Sequence, residues 1–295
     1  MPQVWNKTRK VFTLDPRSFQ FTSNFQNCII IQNAIRRYKD IVFIDKQANK
    51  SNDFPVLNQI HISIENVSCG YPNQNDDESY EIIIDGSNGT GLIRANTVWG
   101  ALHGLETLSQ LVYQHAVTKH YLINATYIND WPSYSFRAIL LDTARHYIPV
   151  KVILANLDAM AYNKFNVFHW HIVDDQSFPF QSQVYPTLSQ KGAYSPKHIY
   201  TYQDIHKIIQ FARMRGIRVI PELDSPGHTH GIGRAFPELL TPCYGQGKDK
   251  PNTPNYPFHA ARDYLNPMIN QTYLFMKDLF MEFKRLFKDS FVHLG

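Results

Sequence analysis

Val167-Phe168-His169-Trp170-His171-Ile172-Val173-Asp174-Asp175 is an almost continuous apolar run, interrupted by two histidines and closed by two carboxylates. A run of this length without regular polar alternation reads as a strand covered on both faces. The segments around it keep the same rhythm. Ala138-Ile139-Leu140-Leu141 precedes it as a first strand, and a helical segment from about Val150 to Asn163 lies between the two. Tyr202 to Arg215 supplies the next helix, Gly216 ends it, and Ile217-Arg218-Val219-Ile220 is the third strand. A long amphipathic helix from Ile269 to Phe287 leads to a fourth strand, Phe291 to Leu294. Apolar strands alternating with helices predict a parallel sheet covered by helices.

A doubly wound sheet and a barrel both satisfy that pattern. No glycine-rich phosphate loop follows the first strand, which argues against a dinucleotide fold. Polar residues collect after every strand rather than at one switch point, which favours a barrel. The expected class is therefore α/β. Residues 131–295 are expected to form such a barrel in part, and, with the resemblance described below, the first half of a (β/α)8 TIM barrel truncated after strand 4; a small α+β domain over 1–130 is expected before it. In that leading domain Ile41-Val42-Phe43-Ile44, Ile60-His61-Ile62-Ser63-Ile64 and Tyr80-Glu81-Ile82-Ile83-Ile84 read as short strands. Asn96 is positioned to cap a helix whose apolar stripe is Val98, Leu102, Leu105 and Val112.

Composition sets the outer bounds. With 295 residues, 43% hydrophobic and 18% charged, the chain can bury a sizeable core and is not of disordered type. The net charge of +4 is spread out. Its densest basic spots, Arg36-Arg37 and Lys248-Asp249-Lys250, have no aromatic interleaving, so no nucleic-acid partner is implied. No segment has the length of a membrane span, and Met1 to Lys10 lacks the apolar core of a signal peptide. Against a cytoplasmic setting stand six Asn-X-Ser/Thr acceptors, at Asn6, Asn49, Asn66, Asn88, Asn124 and Asn270. The three cysteines fit a secretory route if Cys28 and Cys69 pair and Cys243 is left over; three buried free thiols are the other reading.

The chemistry-bearing residues gather behind the strands. Asp142, Arg145 and His146 follow the first, with Arg137 at its start. His169, His171, Asp174 and Asp175 belong to the second, and Glu222, Asp224 and His228 to the third. A carboxylate beside an imidazole fixes its tautomer and raises its basicity. Two functions compete on this pattern. His169 and His171 share one face of a strand and could hold zinc for hydrolysis. Alternatively Trp170, Trp131, Tyr147 and Tyr194 offer faces for sugar rings, with Arg and Asp forking onto vicinal hydroxyls. The spacing leaves both open.

The longer motifs carry a resemblance. Phe136-Arg137-Ala138-Ile139-Leu140-Leu141-Asp142-Thr143-Ala144-Arg145-His146-Tyr147-Ile148-Pro149, Asn166 to Pro179, Gly216 to Thr229 and Phe291 to Gly295 resemble the first four barrel strands of family 20 β-N-acetylhexosaminidases. Trp99-Gly100-Ala101-Leu102-His103-Gly104-Leu105-Glu106-Thr107 resembles their leading domain, so the likeness spans nearly the whole chain. It implies cleavage of terminal β-linked N-acetylglucosamine or N-acetylgalactosamine with retention, the substrate's own acetamido oxygen serving as nucleophile. It implies that Arg137 binds sugar hydroxyls, that Asp224 and His228 orient and tune the general acid, and that His171 and Asp174 support the pocket. No metal and no cofactor are implied, and the zinc reading becomes the runner-up, with a non-catalytic sugar-binding half-barrel beside it. The implied partners are glycans, glycolipids or chito-oligosaccharides ending in N-acetylhexosamine. The implied setting is lysosomal or secreted, without membrane insertion, the full-length parent forming a dimer.

Two departures accompany the resemblance. After His293-Leu294-Gly295 the family continues with Gly-Asp-Glu, its acetamido-orienting Asp and its general acid. Neither is within residues 1–295, and loss of a general acid alone costs a factor of about 10²–10⁴, so the chain as given is expected to be inactive. Thr229-His230-Gly231-Ile232-Gly233 also departs from the family's Trp-containing segment. Cys243 matches a family cysteine whose partner lies beyond Gly295.

Overall fold

In a computed structural model of the chain, residues 1–48, 50–251 and 264–295 are described, and they fall into two compact units. The acceptor Asn49 lies outside the described residues. The first unit comprises Met1–Arg137 with Ala161–Lys164 and Arg213–Gly216; the second comprises Ala138–Met160, Phe165–Ala212 and Ile217–Gly295.

The first unit is built on a seven-stranded sheet. Its strands are β1 (Val4–Leu14), β2 (Gln20–Ser23), β3 (Gln59–Ile64), β4 (Tyr80–Ile84), β5 (Thr90–Ala95), β6 (Tyr113–Gln114) and β7 (Tyr121–Asp130). The main path runs β1-β7-β4-β5-β3-β2, with β6 paired to β7. In β3 and β4 alternate residues are buried, the signature of a sheet with one covered face. The two helices of this unit are α1 (Ile29–Val42) and α2 (Val98–Leu111), and their apolar residues join one core with Phe12, Ile60, Ile62, Ile82 and Ile93.

Two readings change here. Ile41-Val42 closes α1 instead of starting a strand: Ile30, Ile31, Ala34, Tyr38 and Val42 recur at helical spacing and form its buried stripe. That periodicity overrides the β-branched side chains at its end. The cap of α2 is Thr97, whose hydroxyl accepts from the backbone N–H of Trp99 and Gly100, while Asn96 donates to Asp77. Cys28 and Cys69 form a disulfide that ties the residue before α1 to a loop 41 positions on; Cys243 is in no disulfide among the described residues.

The second unit holds a parallel sheet of β8 (Ala138–Asp142), β9 (Val167–Val173) and β10 (Arg218–Leu223), with β9 central. Its helices are α3 (Val150–Tyr162), α4 (Thr187–Gly192), α5 (Tyr202–Arg213), a short α6 (His230–Gly233) and α7 (Asn270–Leu286). Most of α5 and the start of β10 follow from one sequence device, an amphipathic helix ended by Gly216 in the left-handed region (φ 72°). Residues 291–294 do not form a named strand. They lie along β10 through three backbone hydrogen bonds, Leu223 N–H to His293 O, His293 N–H to Pro221 O and Ser225 N–H to Leu294 O, each 3.0 Å long. The single pairing is Glu222 with His293, in parallel sense.

Candidate active site at the strand tips

Parallel strands place all their C-terminal ends on one side, and here those ends carry the polar residues. Register sets Asp142 beside His171 and His171 beside Glu222, so three neighbouring strands each present one ionisable group in a row. The chain beyond β9 then delivers Asp174, whose side chain is fully buried.

Asp174 is the hub. Its Oδ2 accepts from Arg145 at 2.7 Å and from His171 Nε2 at 2.9 Å, and its Oδ1 lies 3.2 Å from His228 Nδ1. Burial works against its charge, but the hydrogen bonds from His171 and the Asp175 N–H, with Arg145 and His228 nearby, prevail and hold its pKa below the ordinary carboxylate value. The shape around it is tight: a methyl group at Gly231 would stand 2.5 Å from the Asp174 carbonyl oxygen. His228 occupies the left-handed region (φ 54°). Asp175 stands behind it, 3.5 Å from His228 Nδ1, and accepts the His230 N–H.

The expected residues divide on this geometry. His171, Asp174 and His228 meet. Asp224 lies alongside, with a carboxylate oxygen within 4.8 Å of the nearest such atoms of Asp174 and His228. Of the expected pair Asp224 and His228, both stand in one cluster, and the carboxylate oxygen that accepts from His228 Nδ1 is Asp174 Oδ1 at 3.2 Å. Asp224 has a different condition: burial raises its pKa, and the carboxylates of Glu222 and Asp174 add to this against the pull of His228 and His171.

Arg137 is not brought to the cluster. It belongs to the first unit, at the opposite end of β8 from Asp142. Its guanidinium donates to Glu78, to Tyr134 O and to Lys164 O. The arginine at the tip is Arg145, which bridges Asp142 Oδ2 and Asp174 Oδ2 at 2.7 Å each and remains 42% exposed. Sequence reading placed Arg145 behind the first strand without giving it a role. Its signal is the Asp142-x-x-Arg145 spacing across a turn, where Asp142 also accepts the Ala144 and Arg145 N–H groups.

His169 and His171 do point to one face, since both reach Glu222: His169 Nε2 contacts Oε2, and His171 Nδ1 lies 3.2 Å from Oε1. Among the described residues, no group of three ligand-type atoms within 4.8 Å contains both histidines; His169 groups with Glu222 and His293 instead. Of the expected aromatic faces, Trp170 is fully buried, packed against Phe168 and Tyr200 and donating to Thr143. Tyr147 stacks on Tyr200 with ring centres 4.8 Å apart, and Tyr194 is exposed with its hydroxyl on Arg145 O.

A parallel β/α sheet with carboxylates, imidazoles and an arginine on its strand tips is the arrangement in which β/α barrels gather their functional residues. Comparison with known proteins agrees. Residues 134–295 match the family described as "Glycosyl hydrolase family 20, catalytic domain", and residues 1–111 match one described as "beta-acetyl hexosaminidase like". The chain belongs to glycosyl hydrolase family 20. It is 46% identical to beta-hexosaminidase subunit beta of Felis catus over 274 residues, 91% of this chain and 49% of that protein. Against the Homo sapiens subunit beta it is 42% identical over all of this chain and 53% of the relative. The chain thus spans about half the length of the curated relatives it matches. Among solved structures, the Flavobacterium johnsoniae chitobiase superposes with a TM-score of 0.81 at 30% identity, covering 100% of this chain and 43% of that one.

Proposed function

We propose that the whole protein to which these residues belong removes terminal β-linked N-acetylglucosamine or N-acetylgalactosamine from glycans, glycolipids or chito-oligosaccharides, with retention through the substrate's acetamido group. The observation that carries this reading is the buried Asp174, bonded at once to Arg145, His171 and His228 at the tips of β8, β9 and β10. The names of the relatives, beta-hexosaminidase and chitobiase, support the substrate class.

In this reading Arg145 offers its exposed guanidinium to the hydroxyls of the terminal sugar, a role that fits it better than Arg137. Asp174 holds His228 in one orientation, and His228 tunes the general acid. Asp224 stands beside it, its pKa raised by burial and by the neighbouring carboxylates, and helps orient the general acid. The general acid and the acetamido-orienting carboxylate are the Glu and Asp that the family carries next to His293-Leu294-Gly295. Residues 1–295 alone therefore bind sugar weakly and do not turn it over. The setting is lysosomal or secreted, and the whole protein is a dimer.

The test is hydrolysis of chromogenic β-N-acetylglucosaminide and β-N-acetylgalactosaminide, by residues 1–295 alone and by the same residues followed by the remaining barrel strands. Turnover by the longer protein only is expected. Turnover by 1–295 alone, or inactivity of a folded longer protein on both substrates, would overturn the reading.

A further inference from the structure

The charged groups at the strand tips continue inward from Asp174. Behind it lies His171, with Nε2 at 2.9 Å from Asp174 Oδ2, and behind His171 lies Glu222, with Oε1 at 3.2 Å from His171 Nδ1. Glu222 faces His171 because the two are register partners on adjacent parallel strands. The line Glu222–His171–Asp174–His228 alternates carboxylate and imidazole. Its first three side chains are 5%, 6% and 0% exposed, whereas that of His228 is 53% exposed. The buried row reaches the surface through the His228 imidazole, the only one of the four that is more than half exposed.

We propose that Glu222 is a positioning residue that acts on His228 through His171 and Asp174. It holds His171 as an imidazolium, which with Arg145 keeps Asp174 ionised, and ionised Asp174 keeps the His228 proton on Nδ1 and leaves Nε2 as the acceptor. This rests on the reading that His228 serves the general acid.

The physical steps are ordinary. An imidazole with a carboxylate oxygen at each nitrogen satisfies both only when doubly protonated. The groups facing His171 are Asp142 from β8, Asp174 beyond β9, Glu222 from β10 and Asp224 just after it, together with the Arg145 guanidinium and the His169 imidazole. Burial opposes the charge on His171, but the hydrogen bond to Asp174 and the fields of Glu222, Asp142 and Asp174 carry its pKa above the usual imidazole value. His169, on the other oxygen of Glu222, goes the opposite way: burial outweighs the attraction of Glu222, and His293 and His171 repel its proton. One carboxylate therefore serves a neutral imidazole that donates a single N–H and a charged one that donates two. His293 lies further off, with Nδ1 3.6 Å from Glu222 Oε2 and already accepting the Gly295 N–H.

Histidine-selective ¹⁵N NMR tests this without any substrate, so its outcome is independent of whether the whole protein hydrolyses hexosaminides. In the unmodified protein both nitrogens of His171 are expected to remain protonated above pH 6.5, and His228 to carry its neutral-state proton on Nδ1. Glu222→Gln keeps the shape and an acceptor but removes the charge. It is expected to move the His171 midpoint down toward 6.5 and to lower the Nδ1–H fraction of His228. A purely structural Glu222 would move neither. The proposal is overturned if His171 in the unmodified protein loses its second proton below pH 6.5, a result that needs no variant to fold. It is equally overturned if folded Glu222→Gln leaves the His171 midpoint or the His228 tautomer unchanged.

Discussion

The two units each bury a network of opposite charges, and the networks end differently. In the first unit Lys164 Nζ donates to Tyr80 Oη and Thr107 Oγ1 at 2.7 Å each and pairs with Asp130 at 3.3 Å. Tyr80 in turn donates to Asp130, whose other oxygen takes the Gln3 N–H. The network beside it, Arg137 with Glu78, is equally spoken for. These groups line a cavity of about 390 Å³ together with Trp5 and His103, yet they face one another. In the second unit the row through Asp174 ends at Arg145 and His228, both substantially exposed. A closed set of pairs holds a fold together; an open one leaves reactive groups at an accessible surface. This cavity and the strand-tip cluster therefore belong to different units.

The comparison can be broken by acid. His103 is buried beside Lys164 and Arg137, and burial, with the fields of those two cations, pushes its pKa down to about 3. The folded state holds this imidazole neutral while the unfolded chain protonates it near 6.5. Stability is thus lost as pH falls from 6.5 toward 3, at a slope of about 1.4 kcal/mol per pH unit from this group. Denaturant melts across that window are expected to show the slope, and His103→Gln to flatten it.

Removing the hub charge comes next. Asp174→Asn leaves Arg145 and His171 facing a neutral amide, and a loss of about 3–5 kcal/mol is expected in the same melts. Since the pKa of Asp174 is depressed, its contribution is present above the unfolded value of 3.8 and disappears as pH falls through the folded one. Opening the Cys28–Cys69 bridge by a double Cys→Ala change removes a 41-residue closure and should cost about 2–4 kcal/mol in the first unit. Asp224→Asn sits at the small end. Its carboxylate is penalised in the fold, so at pH 7 the variant should be within about 0.5 kcal/mol of the parent or slightly more stable. That contrast between two carboxylates of one site separates the hub from its neighbour.

Legibility in the sequence followed the same division. β9, the Arg218–Ile220 start of β10, and the helices α5 and α7 were readable because continuous apolar runs and 3.6-residue stripes are local signals. β1 and β7 were not: they pair across more than a hundred residues, and most of β1 is exposed and polar. The end of α1 misled because Ile41-Val42-Phe43-Ile44 taken alone has strand composition. At the site, the residue types were visible but their partners were not. Asp174 meets His228 across 54 positions, whereas Asp224 is only four residues away along the chain. The pairing of Asp174 with His228 and the placing of Arg145 on Asp174 arise only when separate strand tips meet, which no local motif encodes.

The decisive comparison is kinetic, made on the whole protein with a chromogenic β-N-acetylglucosaminide. Asp174→Asn and Lys164→Met each break one network, and kcat/KM is measured per folded molecule alongside the melting temperature. The expected result is a fall in kcat/KM by a factor of about 10² or more for Asp174→Asn, and a lower melting temperature with unchanged kcat/KM for Lys164→Met. Equal losses of kcat/KM in the two variants, or full activity in Asp174→Asn, would contradict the assignment of the chemistry to the strand tips of the second unit.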